Sequence, residues 1–152
     1  MNSLSFKTKF GWISAFEEKN KIVRVKFGKH KCKSTSKSLI RLKSQINFFF
    51  NKKNKNIKSK FLIKGNCTQK KIWNELIKIK LGNTKTYGEI AKKYKLSPRH
   101  VGKICGQNRL LLLVPCHRVI RADGSLGGFS SKGGLKLKRR ILELEKNKKI
   151  FT

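Results

Sequence analysis

The segment TYGEIAKKYKLSPRHVGKICGQN, Thr86 to Asn108, carries two helix starts in close succession. Thr86 and Glu89 have capping-box spacing, and Tyr87, Ile90, Ala91 and Tyr94 follow at i, i+3, i+4 and i+7, which predicts an amphipathic helix. After the short turn Lys95-Leu96, Ser97 caps a second helix whose first residue is Pro98, where a missing N–H costs nothing. Two short helices joined by a tight turn, the second displaying Arg99, His100 and Lys103, have the pattern of a helix-turn-helix. A helical hairpin in a plain bundle has the same pattern.

On the N-terminal side of this segment, Thr68 is an N-cap candidate for a helix with Ile72, Trp73, Leu76 and Ile79 on one side, ending near Gly82. Further upstream, Gly11 to Phe27 reads as a β-hairpin, because Val23, Val25 and Phe27 alternate with Arg24 and Lys26 and face the apolar run Trp12 to Phe16 across a Glu-Lys-Asn turn. Leu39, Leu42, Ile46 and Phe49 recur at helical spacing and predict a helix covering one face of that sheet. Asn51 to Lys60 is a polar linker, and Phe61 to Ile63 is a candidate for one more short strand. On the C-terminal side, glycines from Gly106 to Gly134 frame a loop-rich stretch, and a last helix from Leu135 presents Leu137, Ile141 and Leu144. The prediction is an α+β fold of two domains. Residues 1–66 form a small α/β domain with an antiparallel hairpin or sheet and a helix, and residues 67–152 form a helical domain with a helix-turn-helix, winged or plain.

The chain has 152 residues, with 39 Lys and Arg against 7 Asp and Glu, for a net charge of +32. With 38% apolar residues it has enough material for a core, so disorder is not expected. Such a charge repels itself unless polyanions lie against it, which points first to nucleic acid. The excess is mostly Lys and travels with many Asn and Ile, a bias that AT-rich coding also produces. Charge therefore supports phosphate affinity and no particular task. The longest apolar run, Leu110 to Val114, is far short of the ~20 residues that span a bilayer, and MNSLSFKTKFGW lacks the apolar stretch of a signal peptide. No membrane association is expected. Cys32, Cys67, Cys105 and Cys116 form no CxxC pair, so reduced thiols and a cytoplasmic location are expected.

VPCHRV, Val114 to Val119, carries the chemistry. A Cys directly before His and Arg sits where positive charge favours the nucleophilic thiolate. On a helical wheel Glu145 lies beside the Leu137, Ile141 and Leu144 stripe, while Glu143 points away. A carboxylate near a helix C-terminus is unfavourable unless partnered. The set His100, Cys105, Cys116 and His117 lacks standard zinc-ligand spacing, and no metal or cofactor is expected. His30 with Cys32 is the one N-terminal hint of a metal.

TYGEIA (Thr86–Ala91), RHVGKICGQN (Arg99–Asn108), VPCHRVI (Val114–Ile120), GSLGGFS (Gly124–Ser130) and ILELE (Ile141–Glu145) resemble the O6-alkylguanine-DNA alkyltransferases, the methylated-DNA–protein-cysteine methyltransferases, in order and near spacing. The resemblance implies DNA repair by a single, irreversible transfer of an alkyl group from O6-alkylguanine, and also O4-alkylthymine, in double-stranded DNA to Cys116. It assigns His117 the thiol proton through a water, Glu145 the orientation of the imidazole, and Asn108 a bridge between its turn and the active-site loop. An imidazolium held by Glu145 would also lower the thiol pKa. Tyr87 would help the leaving base and Ser130 would bond near O6. The Val114 and Cys116 carbonyls would read the exocyclic amine, and Arg99 would fill the stack when the base is flipped out.

The implied protein is a monomer without a cofactor. Departures from the family pattern are Phe129 in place of a common Tyr, Ser131-Lys132 inserted before Gly133-Gly134, and Lys103, Ile104 and Cys105 in place of smaller residues. The alternative is a non-enzymatic alkyltransferase-like lesion-binding protein or a helix-turn-helix regulator. The former commonly have Trp at the nucleophile position, so Cys116 favours transfer.

Overall fold

The computed structural model describes residues 1–32, 34–51, 57–127 and 134–150, with side chains up to Lys146. The chain divides into two compact units. The first contains residues 1–64 and 109–113, and the second contains residues 65–108 and 114–151.

The first unit is built on a three-stranded antiparallel sheet, β1 (Asn2–Thr8), β2 (Gly11–Glu18) and β3 (Lys21–Phe27), in sequence order. Lys19 and Asn20 both take left-handed φ, 50° and 65°, giving the two-residue turn whose twist matches that of the flanking strands. Glu17 is buried beside this turn because its carboxylate accepts from Asn20 N at 2.7 Å and Asn2 Nδ2 at 2.8 Å. Helix α1 (Lys37–Phe50) is capped by the Ser36 side chain and buries Leu39, Leu42, Ile46 and Phe49, as its spacing predicts, together with Phe50. These side chains meet Phe6, Ile13, Ala15, Ile22 and Val25 of the sheet to form the core.

Strand β1 has no counterpart in the sequence reading. Its sequence NSLSFKT offers only Leu4 and Phe6 to a periodicity count, and its edge is held by a tertiary bond, Ser3 N to Ser34 O at 2.7 Å. Phe61–Ile63 contributes one isolated parallel bridge, Ile22 to Phe61, rather than a strand. Leu110–Val114 is no strand either. Leu110 bridges Val25, and Leu112 then reverses the chain with φ at 72°. Bonds from Val25 N to Arg109 O (2.8 Å) and Leu111 N to Val25 O (3.3 Å) fix residues 109–113 to β3, so this segment sits with the first unit rather than with the C-terminal residues around it.

In the second unit, α2 (Cys67–Ile77) starts one residue after Asn66, not at Thr68. The Asn66 side chain accepts from Gln69 N at 2.8 Å while Gln69 Oε1 accepts from Asn66 N at 2.9 Å, a reciprocal cap that Thr68 cannot make from inside the helix. The helix ends at Ile77, short of Gly82. Strand β4 (Lys85–Thr86) leads into α3 (Tyr87–Tyr94), capped by Thr86, and α4 (Pro98–Gly106) is capped by Ser97, with Lys95 in the left-handed region between them. Glu75 of α2 is buried and accepts from Lys93 Nζ at 3.0 Å and Tyr94 Oη at 2.7 Å, and Trp73 Nε1 donates to Ile104 O at 3.1 Å. These bonds tie α2 to both helices of the helix-turn-helix. Strand β5 (Val119–Ile120) pairs in parallel with β4, and α5 (Gly134–Ile150) buries Leu137, Ile141 and Leu144.

Candidate active site

The site is assembled inside the second unit by two packing events. The first is the β4–β5 pairing, Lys85 to Val119 and Thr86 to Ile120, which sets the start of α3, and so Tyr87, beside the short 3₁₀ turn Cys116–Arg118. The second is the seating of α5. Glu145 and Lys138 lie seven residues apart, about two helical turns, so both emerge on its packed face.

Cys116 is buried at 5% exposure, with its N–H bonded to Val114 O at 2.8 Å. Asn108 bridges its turn to the loop as expected. Its Nδ2 donates to Val114 O at 2.8 Å, and its side chain also bonds the Cys116 thiol. The Val114 carbonyl thus accepts two hydrogen bonds within the protein.

His117 and Glu145 come together across the chain, Nε2 to Oε2 at 2.9 Å, both 1% exposed. Arg118, marked in the sequence only as a positive charge near the thiol and not as a partner of Glu145, closes on the same carboxylate from Nη2 at 2.7 Å and Nε at 3.1 Å, and donates from Nη1 to Ile79 O at 2.7 Å. Burial by itself pushes the Glu145 carboxyl up, but the His117 and Arg118 charges and hydrogen bonds outweigh it and hold the group at about 2. That carboxylate also answers the charge that was expected to favour a thiolate. Burial accordingly pushes the Cys116 thiol above its ordinary value, against the lowering effects of Asn108 and Lys138, so the expected depression of its pKa is corrected in sign.

Lys138 is the second residue missed. It is fully buried, and its Nζ donates to Val119 O at 2.6 Å and to Tyr87 Oη at 3.3 Å. The helical wheel that placed Glu145 beside the apolar stripe puts Lys138 on the same face, and that was the available signal. Burial lowers the Lys138 pKa and raises that of Tyr87 to about 12, so the phenol keeps its proton at neutral pH. Tyr87 packs so closely on Gly127 that a Cβ there would overlap its ring and hydroxyl. Cys105, on the inner side of α4, is buried, and desolvation pushes its thiol up to about 12. Arg99, His100 and Lys103 lie on the exposed side of α4. Ser130 and the inserted Ser131-Lys132 lie outside the described residues.

A chain that couples a buried Cys-His-Glu arrangement to a helix-turn-helix can be compared with known proteins. The family model "6-O-methylguanine DNA methyltransferase, DNA binding domain" matches residues 67–147. A methylated-DNA–protein-cysteine methyltransferase of Metallosphaera sedula is 35% identical over 148 residues, covering 93% of this chain and 90% of that protein. One from Sulfolobus acidocaldarius is 48% identical over 80 residues, 53% of this chain and 50% of that protein. Among solved structures, Mycobacterium tuberculosis OGT in complex with DNA superposes with a TM-score of 0.87 at 27% identity, covering 97% of this chain and 94% of that one. An O6-methylguanine DNA methyltransferase from Methanococcus jannaschii gives 0.66 at 27% identity, covering 94% and 93%. Similarity of this extent, across the full α+β architecture and the segment that holds Cys116, means that the chain belongs to the methylated-DNA–protein-cysteine methyltransferase family.

Proposed function

We propose that Cys116 is the acceptor in a single, irreversible transfer of an alkyl group from O6-alkylguanine, and from O4-alkylthymine, in double-stranded DNA. Family membership makes the chain a DNA-repair methyltransferase; the identity of the acceptor, the lesion and the single turnover are the proposal. The observation that carries it is a thiol, rather than the Trp of alkyltransferase-like proteins, at position 116 of a buried turn shared with His117 and faced by Asn108.

In the step, a bond forms from Cys116 Sγ to the alkyl carbon and the carbon–O6 bond breaks, its electron pair staying on O6. The thiol proton leaves through His117 by way of a water, and the guanine is made neutral by a proton at its ring. Tyr87, protonated and supported by Lys138, is the donor that helps the base depart. Glu145 orients His117, Asn108 holds the loop, and the Val114 and Cys116 carbonyls read the exocyclic amine of the base. The product is a thioether with no easy hydrolysis route, so one chain serves one lesion. Arg99, exposed at the start of α4, fills the stack vacated by the flipped base, and Ser130 bonds near O6.

The chain works as a monomer in the cytoplasm, where its four free cysteines would stay reduced. The test is intact-protein and peptide mass spectrometry after incubation with O6-methylguanine duplex. A gain of one CH₂ per chain on Cys116, abolished in Cys116→Ala with duplex binding retained, is expected. A gain on Cys32, Cys67 or Cys105, or none, overturns the assignment.

A further inference from the structure

The face of the β1–β2–β3 sheet turned away from α1 takes no part in the chemistry above. Strand pairing puts Lys7 opposite Trp12, Ser14 opposite Lys26 and Phe16 opposite Arg24 on this face, while Phe6, Ile13, Ala15 and Val25 take the core side. The chain leaving β3 folds back across it. Ser14 Oγ donates to Gly28 O at 2.7 Å, and Ser5 Oγ donates to His30 O at 2.8 Å, with His30 N to Ser5 Oγ at 3.0 Å. These bonds hold Lys29 with its Nζ 4.7 Å from the centre of the Trp12 ring and set the His30 ring edge-on to Phe16 at 5.1 Å. Lys26 Nζ lies 5.8 Å from the Phe16 ring centre. Trp12 and Phe16 remain partly exposed.

Within the first unit little that is acidic offsets these cations. Residues 1–64 contain only two carboxylates, Glu17 and Glu18. Glu17 is buried on the opposite side and satisfied by Asn2 and Asn20, and Glu18 pairs with Lys64 at 3.4 Å. A cationic surface interleaved with half-exposed aromatic rings is the chemistry that binds a strand with unpaired bases, by phosphate contact and stacking together. A duplex hides its base faces from such rings, and an anionic lipid surface gives them nothing to stack on.

We propose that this face binds single-stranded nucleic acid, with phosphates on Lys7, Arg24, Lys26 and Lys29 and bases against Trp12 and Phe16. The surface lies wholly in the first unit, whereas the helix-turn-helix belongs to the second.

Tryptophan fluorescence of the full chain, titrated with short oligo-dT, tests it. Only two Trp are present, and Trp73 is 4% exposed with its Nε1 bonded within the second unit, so quenching reports Trp12. Expected are strong quenching by oligo-dT, loss of that quenching in Trp12→Phe, and about tenfold weaker binding in the Arg24→Glu, Lys26→Glu double variant. The slope of log affinity against log salt should flatten by about 1.4 in that variant, for two lost single-strand phosphate contacts. Methyl uptake from the free base O6-methylguanine should stay parental in both variants, which separates failure of this surface from failure of the transfer chemistry. Unquenched fluorescence at saturating oligo-dT overturns the proposal. So does equal quenching by blunt duplex, by inorganic polyphosphate or by anionic vesicles, or parental oligo-dT affinity in the double variant.

Discussion

Glu145 is one carboxylate serving two cations, and its substitution tests more than orientation of an imidazole. Glu145→Gln leaves Arg118 and His117 without their anion inside the second unit, and breaking a buried pair in this way costs about 3–5 kcal/mol. The denaturation midpoint of the Gln variant should fall accordingly, along with the single-turnover rate. An unchanged midpoint would mean that the carboxylate is solvated. The same group sets an acid limit. Its folded-state pKa, about 2, lies below its ordinary 4.5, so its stabilisation is fully present above pH 4.5 and is lost as pH falls toward 2. Denaturation curves at pH 5 and pH 3 should show the loss in the parent and less of it in the Gln variant. For Cys116 the sign is opposite to a depressed thiol. Because burial raises its pKa, the single-turnover rate should climb as pH rises above neutrality, and a rate profile flat from pH 6 to 9 would contradict that direction.

Among the elements, the start of α2 separates local propensity from realised geometry. Both Asn66 and Thr68 are residue types that cap helices, but only Asn66 has extended backbone and a reciprocal partner in Gln69. Asn66→Ala should lower stability by about 1 kcal/mol, whereas Thr68→Ala, inside the first turn, should change it by a few tenths at most. Thermal unfolding of the two variants checks this. The cap matters to function because α2 carries Glu75 and Trp73, whose bonds to Tyr94, Lys93 and the Ile104 carbonyl fix α3 and α4. Those helices in turn deliver Tyr87 to the site and Arg99 to solvent.

Across the whole molecule the net charge is +32, and among the described residues Arg118 and Lys138 are the buried members of the Lys and Arg set. Duplex affinity should therefore fall steeply with added salt through counterion release, and a flat response in a binding titration would show the charge to be compositional. The sequence by itself determined the helix-turn-helix, the β2–β3 hairpin, the face of α1 and the Cys-His pair, because caps, turn residues and apolar periods act over a few positions. It also placed Glu145 on the inner face of α5, since a helical wheel needs only spacing. What only the tertiary structure decided were β1, the return of residues 109–113 to the sheet, the capture of Glu145 by Arg118, and the insertion of Lys138 between Tyr87 and Val119. Apart from β1, each depends on partners tens of residues away, and no local period or cap names those partners. The sign of the Cys116 shift belongs with these. Sequence shows which charges are near the thiol, but burial and the prior pairing of those charges set the balance, and both come from packing.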